Sequence, residues 1–149
     1  MNLYDILKSA HSGWRYLVLI LLVVAVIQAL SGWFGKKVYT EGNRKFNVFT
    51  LISAHIQLVL GVVLYFFSPL TKGPMSDPIY RHWKVEHISI MILAIVLITI
   101  GNAKSKKVTD SVAKHKNIAV FFGIALVLLV VGIFMIVKTG QISSFFGMS

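Results

Sequence analysis

Four stretches of this chain, about 16–33, 47–67, 85–103 and 118–137, stay apolar for long enough to exclude most folds that form in water. A helix advances ~1.5 Å per residue, so ~20 apolar residues cross the ~30 Å hydrocarbon layer of a bilayer. Segments such as "YLVLILLVVAVIQAL" and "IAVFFGIALVLLVVGIFMIV" are apolar on every face. Strands of a membrane barrel would run only about ten residues and turn polar at every second position. A composition of 56% apolar and 13% charged residues, with a mean hydropathy of +0.78, agrees with helices in lipid. The expectation is an all-α protein with one integral membrane domain over residues 1–149. Short connections between spans favour an up-down-up-down four-helix bundle.

The first span is expected to be retained. Its apolar run exceeds the ~7 to 15 residues of a signal-peptide core and follows Trp14 and Arg15, although "ALSG" at 29–32 loosely resembles a cleavage site. The chain has no cysteine, which excludes disulfides, Cys-ligated zinc, iron–sulfur clusters and thioether-attached haem. A metal site would have to use His, Met or carboxylate.

The net charge of +10 is unevenly placed. Of the fifteen Lys and Arg, nine fall in two connections: Lys36, Lys37, Arg44 and Lys45 after the first span, and Lys104, Lys106, Lys107, Lys114 and Lys116 after the third. Excess positive charge stays on the cytoplasmic side, so both termini and the middle connection are expected on the outer side of the membrane. Anionic lipid headgroups satisfy such loops, and no nucleic-acid partner is expected. The chain carries neither a nucleotide-binding glycine loop nor paired catalytic carboxylates, which argues against an autonomous kinase or hydrolase.

The two basic connections also resemble one another. "KKVYTEGNRKFN" (36–47) and "KKVTDSVAKHKN" (106–117) share Lys-Lys-Val and a closing Asn at equal spacing, as duplicated hairpins would. Recurrent basic residues imposed by topology explain the same match. The histidines do not follow the repeat.

At 100° per residue, Thr50, Ser53, Gln57 and Gly61 share one face of the second span, and His55 lies about 150° away with Leu51 and Leu58. Only one of these faces can point inward, so His55 or Gln57 must meet lipid, a helix edge or another protein. On the third span, His87, Met91, Ala94 and Gly101 form one stripe. On the fourth, Ala119 and Gly123 make a step suited to helix packing. By depth, His55 and Gln28 lie at similar levels in the inner half and are expected to bond one another. His11 and His87 lie toward the outer side, about ten ångströms apart in straight-helix counting. His115 is expected to be solvated in the second basic connection.

Imidazole is a common metal ligand and a proton carrier, and ionisable groups inside membranes are costly enough to indicate function. Three roles compete: axial ligation of haem b, interhelical hydrogen bonding by His55, Gln28 and Gln57, and a proton path. The central membrane contains no Asp or Glu, which weighs against the path. Haem ligation needs two ligands at nearly one depth. That requirement disfavours His55 with His87, leaving His87 with His11, or with Met135 on the fourth span, as candidate metal ligands.

The segments "HSGWRYLVL" (11–19), "AHIQLVLGVVLYFFSP" (54–69) and "EHISIMILAIVLITIG" (86–101) resemble small four-span bacterial inner-membrane proteins labelled cytochrome-b-like, over most of the chain. The resemblance implies electron transfer with haem b. It points to His11, Arg15, His55 and His87 as matching positions, with Gln57, Gly61 and Met91 around them. The chain departs from two-haem cytochromes b in lacking two depth-matched histidine pairs. The expected haem site lies in the outer half, with His87 as axial ligand, His11 as its favoured partner, Met135 in reserve and Met91 beneath. Arg15, Arg81 and Lys84 would meet the propionates. The other expectation is a cofactor-free accessory or assembly subunit whose polar faces meet a larger membrane complex or further copies of the chain.

Overall fold

The computed structural model describes residues 3–67, Ser76 and 86–138, with side chains of the last helix described as far as Phe134. The described residues form helices α1 (Leu3–Phe34), α2 (Glu41–Phe67), α3 (His87–Lys107) and α4 (Ser111–Lys138). Each is long and apolar enough to cross a membrane.

The helices overrun the apolar stretches because their ends are set by backbone capping, which hydropathy does not register. At the start of α2, Thr40 and Asn43 cap reciprocally: the Asn43 amide donates to Thr40 Oγ1 at 3.1 Å, and the Thr40 amide donates to Asn43 Oδ1 at 3.0 Å. Asp110 performs the same task for α4, accepting the Ala113 amide at 3.1 Å. Thr40 and Asp110 are 70 positions apart, the offset of the two basic segments, so the repeat coincides at the helix starts. The preceding helix ends differ. After α1 the Lys37 amide reaches back to the Gly32 carbonyl at 3.0 Å, which requires Lys36 to turn left-handed with φ 52°. Its counterpart Lys106 is still helical.

Successive helices run antiparallel. Trp14 and His11 of α1 meet Ser53 and Gln57 of α2, while Gly101 and Gly132 mark the approach of α3 and α4. The most extensive packing joins α3 to α4, followed by α1 with α4 and α1 with α2; α2 meets α3 over a shorter stretch. Interior positions combine small and bulky residues: Leu22, Ala25 and Ala29 of α1, Ala54 of α2, Ala94 and Ile98 of α3, and Phe122 and Ala125 of α4. Alanines let the helix backbones approach closely. A Cβ on Gly101 would stand 2.6 Å from Phe121 Cβ, so α3 and α4 cross closely there. The expected step at Ala119 and Gly123 is only half used, since Ala119 is buried but nothing lies within 4 Å of a Cβ on Gly123.

Buried hydroxyls are satisfied within their own helices. Thr50 donates to the Phe46 carbonyl at 2.9 Å, Ser53 to Thr50 at 2.8 Å and Ser105 to Asn102 at 2.7 Å. Such back-bonding makes a polar side chain tolerable in an apolar interior.

Candidate functional site

Three histidines outside the termini of the helices decide what the molecule can do, together with His87 at the start of α3. The inward face of α2 is the one bearing Thr50, Ser53 and Gln57. Gln57 Nε2 donates to the His11 backbone carbonyl at 2.9 Å, and Trp14 Nε1 donates to the Ser53 carbonyl at 2.8 Å. These two bonds, one donated by each helix and about one turn apart along both, fix the rotation and height of α1 against α2. Gly61 stands where a Cβ would lie 3.2 Å from His11 Nε2, so the absent side chain leaves room for the imidazole.

His11 then faces His87 of α3, with ring centres 6.3 Å apart and planes inclined at 66°. The mismatch in depth expected from straight-helix counting is removed, because α1 extends to Leu3 and His11 is carried inside the helical assembly. Helices α1 and α3 pack little against each other. The pair therefore spans the interior between α2 and α4. On the α4 side Met91 Cε rests where Gly132 has no side chain, and a thioether is among the most adaptable fillers of such space. Arg15 is one turn from His11; its Nη2 donates to Tyr16 Oη at 3.3 Å and its guanidinium lies 5.0 Å from the Tyr16 ring centre.

Two imidazoles bound to opposite sides of one metal ion, each at roughly 2 Å, hold their ring centres roughly 6 Å apart. The observed separation of ring centres agrees with that distance, and Gly61 of α2 lies against the His11 ring. Among the described residues no three His, Cys, Asp or Glu side chains come together, so a caged ion held only by protein is not formed there. Met135 lies on α4 with its side chain outside the described residues, as do Arg81 and Lys84.

His55 has a different partner from the one expected. Its Nε2 lies 3.0 Å from Thr99 Oγ1 on α3, on an exposed face. Thr99 donates its single hydroxyl proton to the Ile95 carbonyl at 2.8 Å, so His55 Nε2 is the donor in this pair. Gln28 does not reach His55, since its helix α1 packs on α2 through the opposite face. Gln28 lies instead in a cleft near His115, and its Oε1 is buried with no hydrogen-bond partner.

His115 is the residue sequence reasoning placed wrongly. It is not solvated in a connection but sits in the second turn of α4, 3% exposed. Its ring packs directly on Gly32 of α1, meets Tyr39 edge-on at 5.1 Å, and brings Nε2 to 3.4 Å from the Val38 carbonyl. The signal was present in "TDSVAKH", where Asp110 is a helix-starting residue. Compared with models of protein families, with curated proteins and with solved structures, the chain matches none.

Proposed function

We propose that this chain is an integral protein of a bacterial inner membrane, an up-down-up-down four-helix bundle that holds one haem b in its outer half and serves as an electron carrier or as the haem-bearing subunit of a respiratory complex. His11 and His87 are the axial ligands. The observation that carries this reading is their ring separation of 6.3 Å across the interior. Gly61 lets the His11 ring sit close against α2, and Gly132 lets Met91 sit close against α4. When bound, haem b supplies a one-electron couple. The protein's own part is to present two imidazoles on rigid helices, with the Gln57 amide and Trp14 indole locking the height of His11. Met91 gives way beside the ring, and Arg15 offers its guanidinium to a propionate. Met135 is the reserve ligand. A reduced-minus-oxidised spectrum of membranes containing the protein tests the reading: a Soret and sharp visible bands support it, and a colourless protein after reconstitution with haem removes it.

The orientation follows from charge. The basic connections 35–40 and 108–110, with their flanking lysines, stay in the cytoplasm and both termini lie outside. A C-terminal alkaline phosphatase fusion is expected to be active and a C-terminal fluorescent fusion dark; the opposite pattern reverses the assignment of outer and inner halves.

A second reading, a cofactor-free accessory or assembly subunit, draws on the exposed His55–Thr99 pair between α2 and α3, a polar contact facing outward where a partner helix or a second copy could bond. In the haem reading this pair is only structural. His55→Leu then leaves the spectrum intact and costs no more than about 1 kcal/mol, because Thr99 keeps its bond to Ile95. Loss of co-purifying subunits in that variant, with no spectrum in the parent, favours the second reading.

A further inference from the structure

The end of the molecule opposite the His11–His87 pair holds a cleft that the haem reading does not use. It is open, about 550 Å³ in volume, and lies between the last turns of α1, the connection after it, the start of α2 and His115 of α4. Pockets for small ligands span roughly 300–1,000 Å³. The His115 ring packs on Gly32 to form one wall, and the connection that follows the left-handed Lys36 supplies Lys37 and Val38.

Its walls have two characters. Gln28, Ser31, Lys37, Asn43 and His115 make one side polar. Lys37 Nζ donates to Ser31 Oγ at 2.8 Å, which holds the ammonium against the wall. Among the described residues no acidic side chain lines the cleft, so that charge can meet an anion. Gln28 Oε1 is buried without a hydrogen bond, an arrangement proteins rarely keep. Gln28 lines the cleft, so its amide, turned about the last torsion, would be able to offer this oxygen to a donor on an occupant. The rim, by contrast, is apolar: Ile27 is 60% and Val38 72% exposed, and both line the cleft. An occupant therefore carries an anionic group for Lys37, a hydroxyl or amine donor for Gln28, and an apolar portion that leaves past Ile27 and Val38.

We propose that this cleft is a headgroup site for an anionic phospholipid of the cytoplasmic leaflet, its phosphodiester on Lys37 and a headgroup hydroxyl on Gln28. A soluble phosphate ester shares the polar chemistry but has no use for the rim, which favours the lipid. The inference rests on the membrane part of the proposed function and is independent of haem.

The test uses the full chain, stripped of lipid by detergent exchange and titrated in mixed micelles while native mass spectrometry counts bound lipid. The probes are phosphatidylglycerol, phosphatidylmethanol (anionic, without a headgroup hydroxyl), phosphatidylcholine, and soluble glycerol phosphate. Phosphatidylglycerol is expected to form a one-to-one adduct at least tenfold tighter than phosphatidylcholine, with phosphatidylmethanol between them and glycerol phosphate not retained. Lys37→Gln removes the preference for anionic lipid, whereas Lys106→Gln, at the same basic end but outside the cleft, preserves it. Gln28→Leu abolishes the advantage of phosphatidylglycerol over phosphatidylmethanol and keeps the preference of both over phosphatidylcholine. Equal binding of phosphatidylglycerol and phosphatidylcholine overturns the proposal, as does an effect of Lys106→Gln as large as that of Lys37→Gln. Glycerol phosphate binding as tightly as the lipid overturns it in favour of a soluble ligand. None of these counts depends on the haem spectrum, so a colourless protein that still selects phosphatidylglycerol separates the two readings.

Discussion

Replacing His87 by alanine is expected to erase the reduced-minus-oxidised haem spectrum of membranes while protein level stays near that of the parent. His87 occupies the first position of α3, and its ring faces His11 across the interior. On the proposed haem reading, removing it would take away one of the two iron-holding imidazoles but little packing, because the position is only partly buried. His11→Ala has the same outcome for the same reason. His11→Met is more informative, since a thioether still ligates iron and raises its potential relative to imidazole. Its bands shift and survive. An unchanged spectrum in His87→Ala would sink the assignment of the pair, and loss of the spectrum in His55→Leu would move the site to the α2–α3 face.

The second large effect belongs to the other end of the molecule. Gly32→Ala is expected to lower the thermal midpoint in detergent and Gly32→Val to lower it further. The His115 ring rests on the bare backbone of Gly32, and it is held from the far side by Tyr39 and Val38. An added methyl has nowhere to go, and overpacking of this kind costs about 1–3 kcal/mol. The double variant Gly32→Ala with His115→Ala recovers much of the loss, because the two changes share one space and do not add. On the haem reading the spectrum is expected to be unchanged, as Gly32 lies roughly 30 Å along α1 from His11. An unchanged thermal midpoint in Gly32→Ala would show that the ring is free to move aside.

Hydropathy made the four spans legible, because in lipid the requirement for ~20 apolar residues leaves little choice. Angular counting also grouped Thr50, Ser53 and Gln57 on one face of α2 but left open whether that face or the one with His55 points inward; the structure turns the Gln57 face inward and leaves His55 exposed. What it missed has a common cause. Apolar runs locate the membrane core, whereas side-chain encounters depend on where helices begin, and caps decide that. Asp110 starts α4 seven residues before its apolar run, which buries His115. The extension of α1 to Leu3 brings His11 level with His87. Angular counting also names a face without naming the neighbour across it, so His55 was given Gln28 when Thr99 of α3 was the residue opposite. The glycines followed suit: Gly101 and Gly132 make the close approaches, and Gly123 faces open space.

His11 and His87 belong to different helical hairpins, α1–α2 and α3–α4. A chain with only the first hairpin made thus presents one imidazole and no pair. The pair comes into being when the second hairpin docks, against α1 through α4 and against α2 through α3. On the haem reading, chain order would set the timing of cofactor capture: the two imidazoles meet only after synthesis has passed the start of the third helix, and a product truncated before then would lack the pair.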